Sequence, residues 1–200
     1  DRLAAVPSAV LGLWGIGVLA PAVLPADTWL TENLGWIPLF AGPVSGTGRT
    51  ILTAAIVLGV MALPVMTAIC REIFLQTPVL HEEAALALGA TRWEMITMAV
   101  LPFGRPGIIS GAMLGLGRAL GETMAVAMVL SPQAIVTFAL LQSANPSTIA
   151  ANIALSFPES YGVNVNLLIF TGLVLFIITL VVNSIARYIV NRRRDFSGAN

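Results

Sequence analysis

Apolar residues in this chain neither alternate nor fall into narrow stripes; they run together in four long stretches, Leu3 to Leu24, Ile51 to Cys70, Ile108 to Leu130 and Leu167 to Ala186. A helix rising about 1.5 Å per residue needs about 20 such residues to cross the hydrocarbon layer. The pattern therefore predicts an all-α polytopic membrane protein with four transmembrane helices, organised as a single membrane domain over residues 1–200. Pro7, Pro21 and Pro64 fall inside spans, where neighbouring helices can satisfy the freed carbonyls. The first, second and fourth stretches carry no charge, whereas the third contains Arg118 and Glu122. Between the spans lie two segments on one side, 25–50 and 131–166, and one on the other, 71–106. The second of the paired segments includes an apolar run, Ala134 to Leu141, too short to span, and a Pro146-Ser147 start for an interfacial helix through Leu155.

Composition agrees with a membrane location: 57% of residues are hydrophobic and 10% charged, with a mean hydropathy of +0.90, against about a quarter charged in soluble domains. All ten basic residues are arginine. Without lysine there is no Walker A phosphate loop, no Schiff-base lysine and no Ser-Lys hydrolase. One cysteine, Cys70, and one histidine, His81, leave no disulfide framework and no zinc cluster, and the sequence offers no metal site. A net charge of zero gives no basic footprint for nucleic acid. No membrane-embedded Gly-x-Ser-x-Gly or His-Glu-x-x-His is present, which disfavours an intramembrane protease.

The arginines orient the spans, because cytoplasmic loops collect positive charge. Arg2, Arg71, Arg92, Arg105, Arg187, Arg192, Arg193 and Arg194 share one side if the spans alternate, and Arg49 alone takes the other. Both ends of the chain and the 71–106 segment are thus expected in the cytoplasm. The chain opens at Asp1 without methionine or signal-peptide grammar, which reads as a mature or truncated chain.

The 71–106 segment has helix grammar of its own. Thr77-Pro78 reads as an N-cap followed by proline at the first helical position, with Glu82 and Glu83 early in the helix and Gly89 ending it. Thr91 with Glu94 three residues later is a capping box opening a second short helix that stops near Leu101-Pro102. Spacing alone fits a solvated connector equally well. His81 reads as an exposed side chain on the first turn rather than a metal corner or pH switch, and Cys70 as a small buried apolar residue. However, Glu83-Ala84-Ala85, Gly89 six positions after the glutamate, and Leu101-Pro102 resemble the EAA loop of ABC importer permeases, with Ala99 standing where that pattern often has isoleucine. The resemblance implies that Glu83, Ala84, Ala85, Gly89, Leu101 and Pro102 dock on an ATPase subunit. Small side chains at Ala84 and Ala85 would allow close packing there, and Gly89 the turn.

On the third span, at 100° per residue, Gly107, Gly111, Gly115, Arg118, Glu122 and Ala125 lie within about 40° of one direction. Arg118 falls near the middle of the span, where a charge costs at least about 2.5 to 3.5 kcal/mol unless paired or wetted. Glu122, four residues on, is placed for an intrahelical pair. The pair could merely glue helices, with the Gly-x-x-x-Gly series packing tightly. Uncharged polar residues would do that at lower insertion cost, and an arginine fork among small neighbours is better suited to meeting an anion.

The run Gly117-Arg118-Ala119-Leu120-Gly121-Glu122-Thr123-Met124-Ala125-Val126 resembles the phosphate importer permeases of the Pst family, more closely the PstC-like partner than the PstA-like one. Val182-Asn183-Ser184-Ile185-Ala186-Arg187, Val6-Pro7-Ser8 and Gly12-Leu13-Trp14 look like the same family. The resemblance implies a type I ABC importer permease fold of six spans, of which this chain holds the last four. It implies Arg118 and Glu122 in the substrate path, a homologous PstA-like permease, a dimer of ATPase subunits carrying ATP and Mg, an extracytoplasmic phosphate-binding protein, and a bacterial inner-membrane location. No cofactor and no catalytic residue is expected on this chain. An arginine does not name its anion, so sulfate or molybdate are alternative cargoes, and a non-transporting scaffold subunit is the alternative from another class.

Overall fold

A computed structural model describes residues 7–133 and 135–194. Arg2, Leu3 to Val6 and Ala134 lie outside these residues, and so do the parts of the expected first span and outward apolar run that fall on them. The described chain is helical: α1 (Ser8–Leu34), α2 (Ile51–Leu75), α3 (Val79–Ala87), α4 (Arg92–Gly121), α5 (Met124–Val129), α6 (Ile149–Ser156) and α7 (Val163–Arg194). Among the described residues the extended structure is an isolated bridge between Pro132 and Asn145. Four helices, α1, α2, α4 and α7, are long and apolar enough to cross a membrane. The chain is a multi-pass membrane protein.

Three of the spans run longer than their apolar stretches, because a helix continues past the hydrocarbon edge until a turn residue stops it. The larger differences are at prolines. The sequence pattern ends a helix near Leu101-Pro102, yet α4 runs straight through Pro102 and Pro106. The reason lies one turn earlier, where Ile96–Val100 forms a π-turn and the Leu101 N–H reaches back five residues to the Ile96 carbonyl. A widened turn relieves the clash of a proline ring with the preceding carbonyls and accommodates its missing N–H. The same device recurs in α1. Gly15–Leu19 is a π-turn, the Ala20 N–H bonds Gly15 O, and Pro21 follows. In both helices the proline stands two residues after the bulge.

The third expected span, 108–130, is not one helix. It breaks after Gly121, and α5 starts afresh at Met124. Thr123 sits at φ −109°, ψ −52° as the N-cap of the new helix. Thr77 is not the cap of α3 either. Pro78 holds that place with ψ 124°, while Thr77 is buried with its hydroxyl unpartnered. The interfacial helix after Pro146-Ser147 starts later than expected, at Ile149, where Thr148 Oγ1 accepts from the Ala151 N–H at 3.3 Å.

The chain packs as two compact units. One comprises Ala62–Arg118 with the described part of Ile178–Asn200, and the other the described parts of Arg2–Met61 and Ala119–Ile177. In the second unit the core is Ala54, Val57 and Met61 of α2, Ala125, Val126 and Val129 of α5 with Leu130, and Ala151 of α6. Glycine lets α1 approach it: a Cβ on Gly15 would lie 2.7 Å from Val57 Cγ2, and one on Gly12 3.1 Å from the Ala125 Cα.

Candidate functional site

In the first unit α4 lies against α2 along glycines. A Cβ on Gly104 would strike the Phe74 ring, on Gly107 the Ile73 side chain, and on Gly115 would stand 2.9 Å from Met66 Cγ; at Gly111 the Ile69 Cγ2 is 3.3 Å away. This is close helix packing through small residues. The face expected to carry glycine, arginine and glutamate together is therefore divided. At 100° per residue Arg118 points within about 20° of Gly107 and Gly111, so helical position alone does not set it apart from the packed seam; its surroundings do. It is exposed, while Gly111 and Gly115 are buried. Ala125, counted on the same face, belongs to a different helix and is buried in the other unit's core.

Arg118 lines a cavity of about 590 Å³. Its wall on α4 is Ile109, Ser110, Met113, Leu114, Gly117 and Arg118; α2 contributes Val65, and α7 contributes Asn183, Ala186, Arg187, Val190 and Asn191. Among the described residues two guanidinium groups line this space and no carboxylate does. Gly117 borders it, and a Cβ there would meet nothing within 4 Å. Ser110 already donates its hydroxyl proton to the Pro106 carbonyl at 3.0 Å, so it offers the cavity lone pairs. The polar residues of α7, spaced four apart, were visible in the sequence as Asn183, Arg187 and Asn191. Sequence reasoning passed over them as site residues because nothing local says that α7 lies against α4.

Glu122 lies beyond the end of α4, so the expected pair on a single helical turn does not form. Its Oε1 accepts from the Ala125 N–H at 3.1 Å, satisfying a donor at the start of α5. At the other end of α5, the Arg49 guanidinium donates to Met128 O at 2.6 Å, Val129 O at 3.1 Å and Leu130 O at 3.0 Å. The short helix thus has an anion at its positive end and a cation at its negative end. Arg118 itself occupies the last turn of α4, where the carbonyl end favours a cation. The sequence held a signal for this break: Gly121 is a helix stop, and Glu122-Thr123 are residues of a helix start.

In the 71–106 segment the turn at Gly89 and the capping box at Thr91 are as expected, whereas the cap at Thr77 and the stop near Leu101-Pro102 are not. Glu83 and Ala84 are exposed on α3 and Ala85 is half-buried. Gly89 takes φ +87° just after the helix, a left-handed conformation that favours glycine. The capping box at Thr91 is complete: the Thr91 N–H donates to Glu94 Oε2 at 2.7 Å and the Glu94 N–H to Thr91 Oγ1 at 3.3 Å. Leu101 and Pro102 are exposed within α4, and so are Leu80, Leu88, Trp93 and Met98, whose large apolar side chains leave this region with much uncovered surface. His81 is exposed. Cys70 is half-buried and free, 3.7 Å from where a Gly111 Cβ would stand. No group of three or more metal-ligating side chains gathers among the described residues.

Residues 2–195 match the profile of the binding-protein-dependent transport system inner membrane component family. The chain is 51% identical over 193 residues to "Phosphate transport system permease protein PstC 2" of Mycobacterium tuberculosis, which covers 94% of this chain and 59% of that protein. It is 48% identical to the PstC permease of Mycobacterium leprae, over 96% of this chain and 61% of the relative, and 43% identical to that of Xylella fastidiosa, over 96% and 60%. The chain thus spans about three fifths of the length of these curated relatives. No solved structure gives a significant match.

Proposed function

The chain belongs to the binding-protein-dependent transport system inner membrane component family, and from that premise we propose that it is a permease subunit of an ATP-driven phosphate importer. The observation that carries this reading is the α4–α7 cavity, which brings Arg118 into a space lined by a second arginine and, among the described residues, by no carboxylate. Such a space attracts an anion, and the planar fork of arginine matches tetrahedral oxyanions. The relatives' names supply phosphate as the anion. Arg118 contacts the passing ion. Glu122, four residues further along the chain, anchors the start of α5 through the Ala125 N–H, and its charge partly offsets that of the arginine, so that the ion is released rather than trapped.

In this proposal the chain forms the path with a homologous PstA-like permease and receives phosphate from an extracytoplasmic binding protein. Glu83, Ala84, Ala85, Gly89, Leu101 and Pro102 lie on or beside the surface that meets an ATPase dimer. The exposed apolar residues around them suit burial by such a partner. ATP and Mg are held by the ATPase. This chain has no lysine with which to build a Walker A site and hydrolyses nothing itself. Both chain ends and the α3 region face the cytoplasm of a bacterial inner membrane, in keeping with the arginine distribution.

The test is uptake of radiolabelled phosphate by the assembled complex, with sulfate and molybdate in excess as competitors. Uptake that depends on this subunit and survives the competitors is the expected result. Uptake displaced by sulfate or molybdate would reassign the cargo, and a complex that assembles with an ATPase but moves no oxyanion would leave a scaffold.

A further inference from the structure

Asn183, Arg187 and Asn191 recur every four residues on α7, and all three line the cavity that holds Arg118. At about 1.5 Å per residue they span about 12 Å along the helix, as do Ser110 and Arg118 on α4. The stripe is polar on a helix long and apolar enough to cross a membrane. Asn183 lies inside the apolar stretch, where a polar side chain costs free energy unless it meets water, a partner or a ligand, and Arg187 and Asn191 continue its line just past the end of that stretch. Arg187 is exposed to the cavity, and among the described residues no carboxylate lines that space.

We propose that Arg187, flanked by the amides of Asn183 and Asn191, forms a second oxyanion station in this cavity, distinct from Arg118. The inference rests on the transport reading above and deepens it. Two guanidinium stations in one cavity let an anion pass from one to the other without ever leaving a positive potential. The two amides supply neutral donors that follow the ion along the wall without holding it as a third charge would. The ligand is a phosphate oxyanion, either the free ion in transit or the headgroup of an anionic phospholipid entering from the bilayer. The two have the same recognition chemistry.

The experiment uses the assembled importer in vesicles of phosphatidylcholine alone or with phosphatidylglycerol, with wild type, Arg187→Gln, Asn183→Leu and, as a control on the same helix, Tyr188→Phe. Assembly is checked by co-purification. A free-ion station predicts that Arg187→Gln lowers maximal phosphate uptake tenfold or more in both lipids. The concentration giving half-maximal uptake stays unchanged, since the extracytoplasmic binding protein sets it, and Tyr188→Phe stays at the wild-type rate. A headgroup station predicts unchanged uptake but loss of phosphatidylglycerol that co-purifies with wild type. Should Arg187→Gln fail to assemble, Asn183→Leu reads the same station with no change of charge, and a severalfold loss of maximal uptake is expected. Uptake within twofold of wild type together with unchanged bound lipid, in whichever variant assembles, overturns the proposal. Wild type that imports no phosphate at all refutes the transport reading instead.

Discussion

Arg49 is the arginine that the charge count leaves over, and the structure gives it a purpose that no motif announces. Its three hydrogen bonds, to the carbonyls of Met128, Val129 and Leu130, close the C-terminus of α5 from a residue about eighty positions away in the chain. Glu122 closes the N-terminus through the Ala125 N–H. Removing the cation leaves three partly buried carbonyls with nothing to accept from. Hydrogen bonds to charged groups contribute about 1.5 to 3 kcal/mol each in favourable cases, and the partial exposure of Arg49 reduces that. Arg49→Met should therefore destabilise the subunit by about 3 kcal/mol, lowering its thermal midpoint in detergent by several degrees and its abundance in membranes. A midpoint unchanged from wild type would mean that α5 holds its ends without this clamp. Glu122→Gln should be far milder, because glutamine keeps an Oε1 to accept from Ala125.

The helices of this chain show which features a sequence declares and which it withholds. The Thr91–Glu94 capping box and the turn at Gly89 were legible because both are local, set by two residues three positions apart and by one backbone angle. The span α2 was legible from apolar length alone. The continuation of α4 through Pro102 was not, since proline normally ends a helix and the π-turn that rescues it leaves no residue signature. Nor could a helical wheel separate Gly115 from Arg118, because 60° is within the width of one face. Only the packing partners, Met66 and Ala62 for Gly115 and open space for Gly117, tell the two glycine roles apart. Those roles predict opposite outcomes for the same substitution. Gly115→Val should crowd Met66 and cost about 1 to 3 kcal/mol of overpacking, seen as reduced assembled subunit in membranes. Gly117→Ala should assemble normally, even gaining some helix propensity, while its methyl narrows the space beside Arg118 and slows uptake. Equal abundance for both variants would show that the glycine seam is not a tight contact.

At the scale of the molecule, one of the points at which the chain passes from one packing unit to the other lies between Arg118 and Ala119, just before Glu122. The break in the helix and the charged pair of the family pattern thus occupy one short stretch. Half-helices that end inside a membrane protein, with charges matched to their dipoles, are a recurring way to place ionisable groups at a transport path. The sequence disclosed both charges and the family; it did not disclose that the cavity wall opposite Arg118 comes from α7, because that pairing is tertiary. The central claim is that Arg118 meets the anion, and the most direct measurement is radiolabelled phosphate uptake with subunit abundance read in the same membranes. Arg118→Lys keeps the charge and loses the bidentate fork, so uptake should fall tenfold or more while the subunit assembles. Arg118→Gln combined with Glu122→Gln should assemble, since the α5 cap is kept, yet still fail to transport. Near-normal uptake in Arg118→Lys, or recovered uptake in the double variant, would contradict the account and leave the two charges as structural supports of a broken helix.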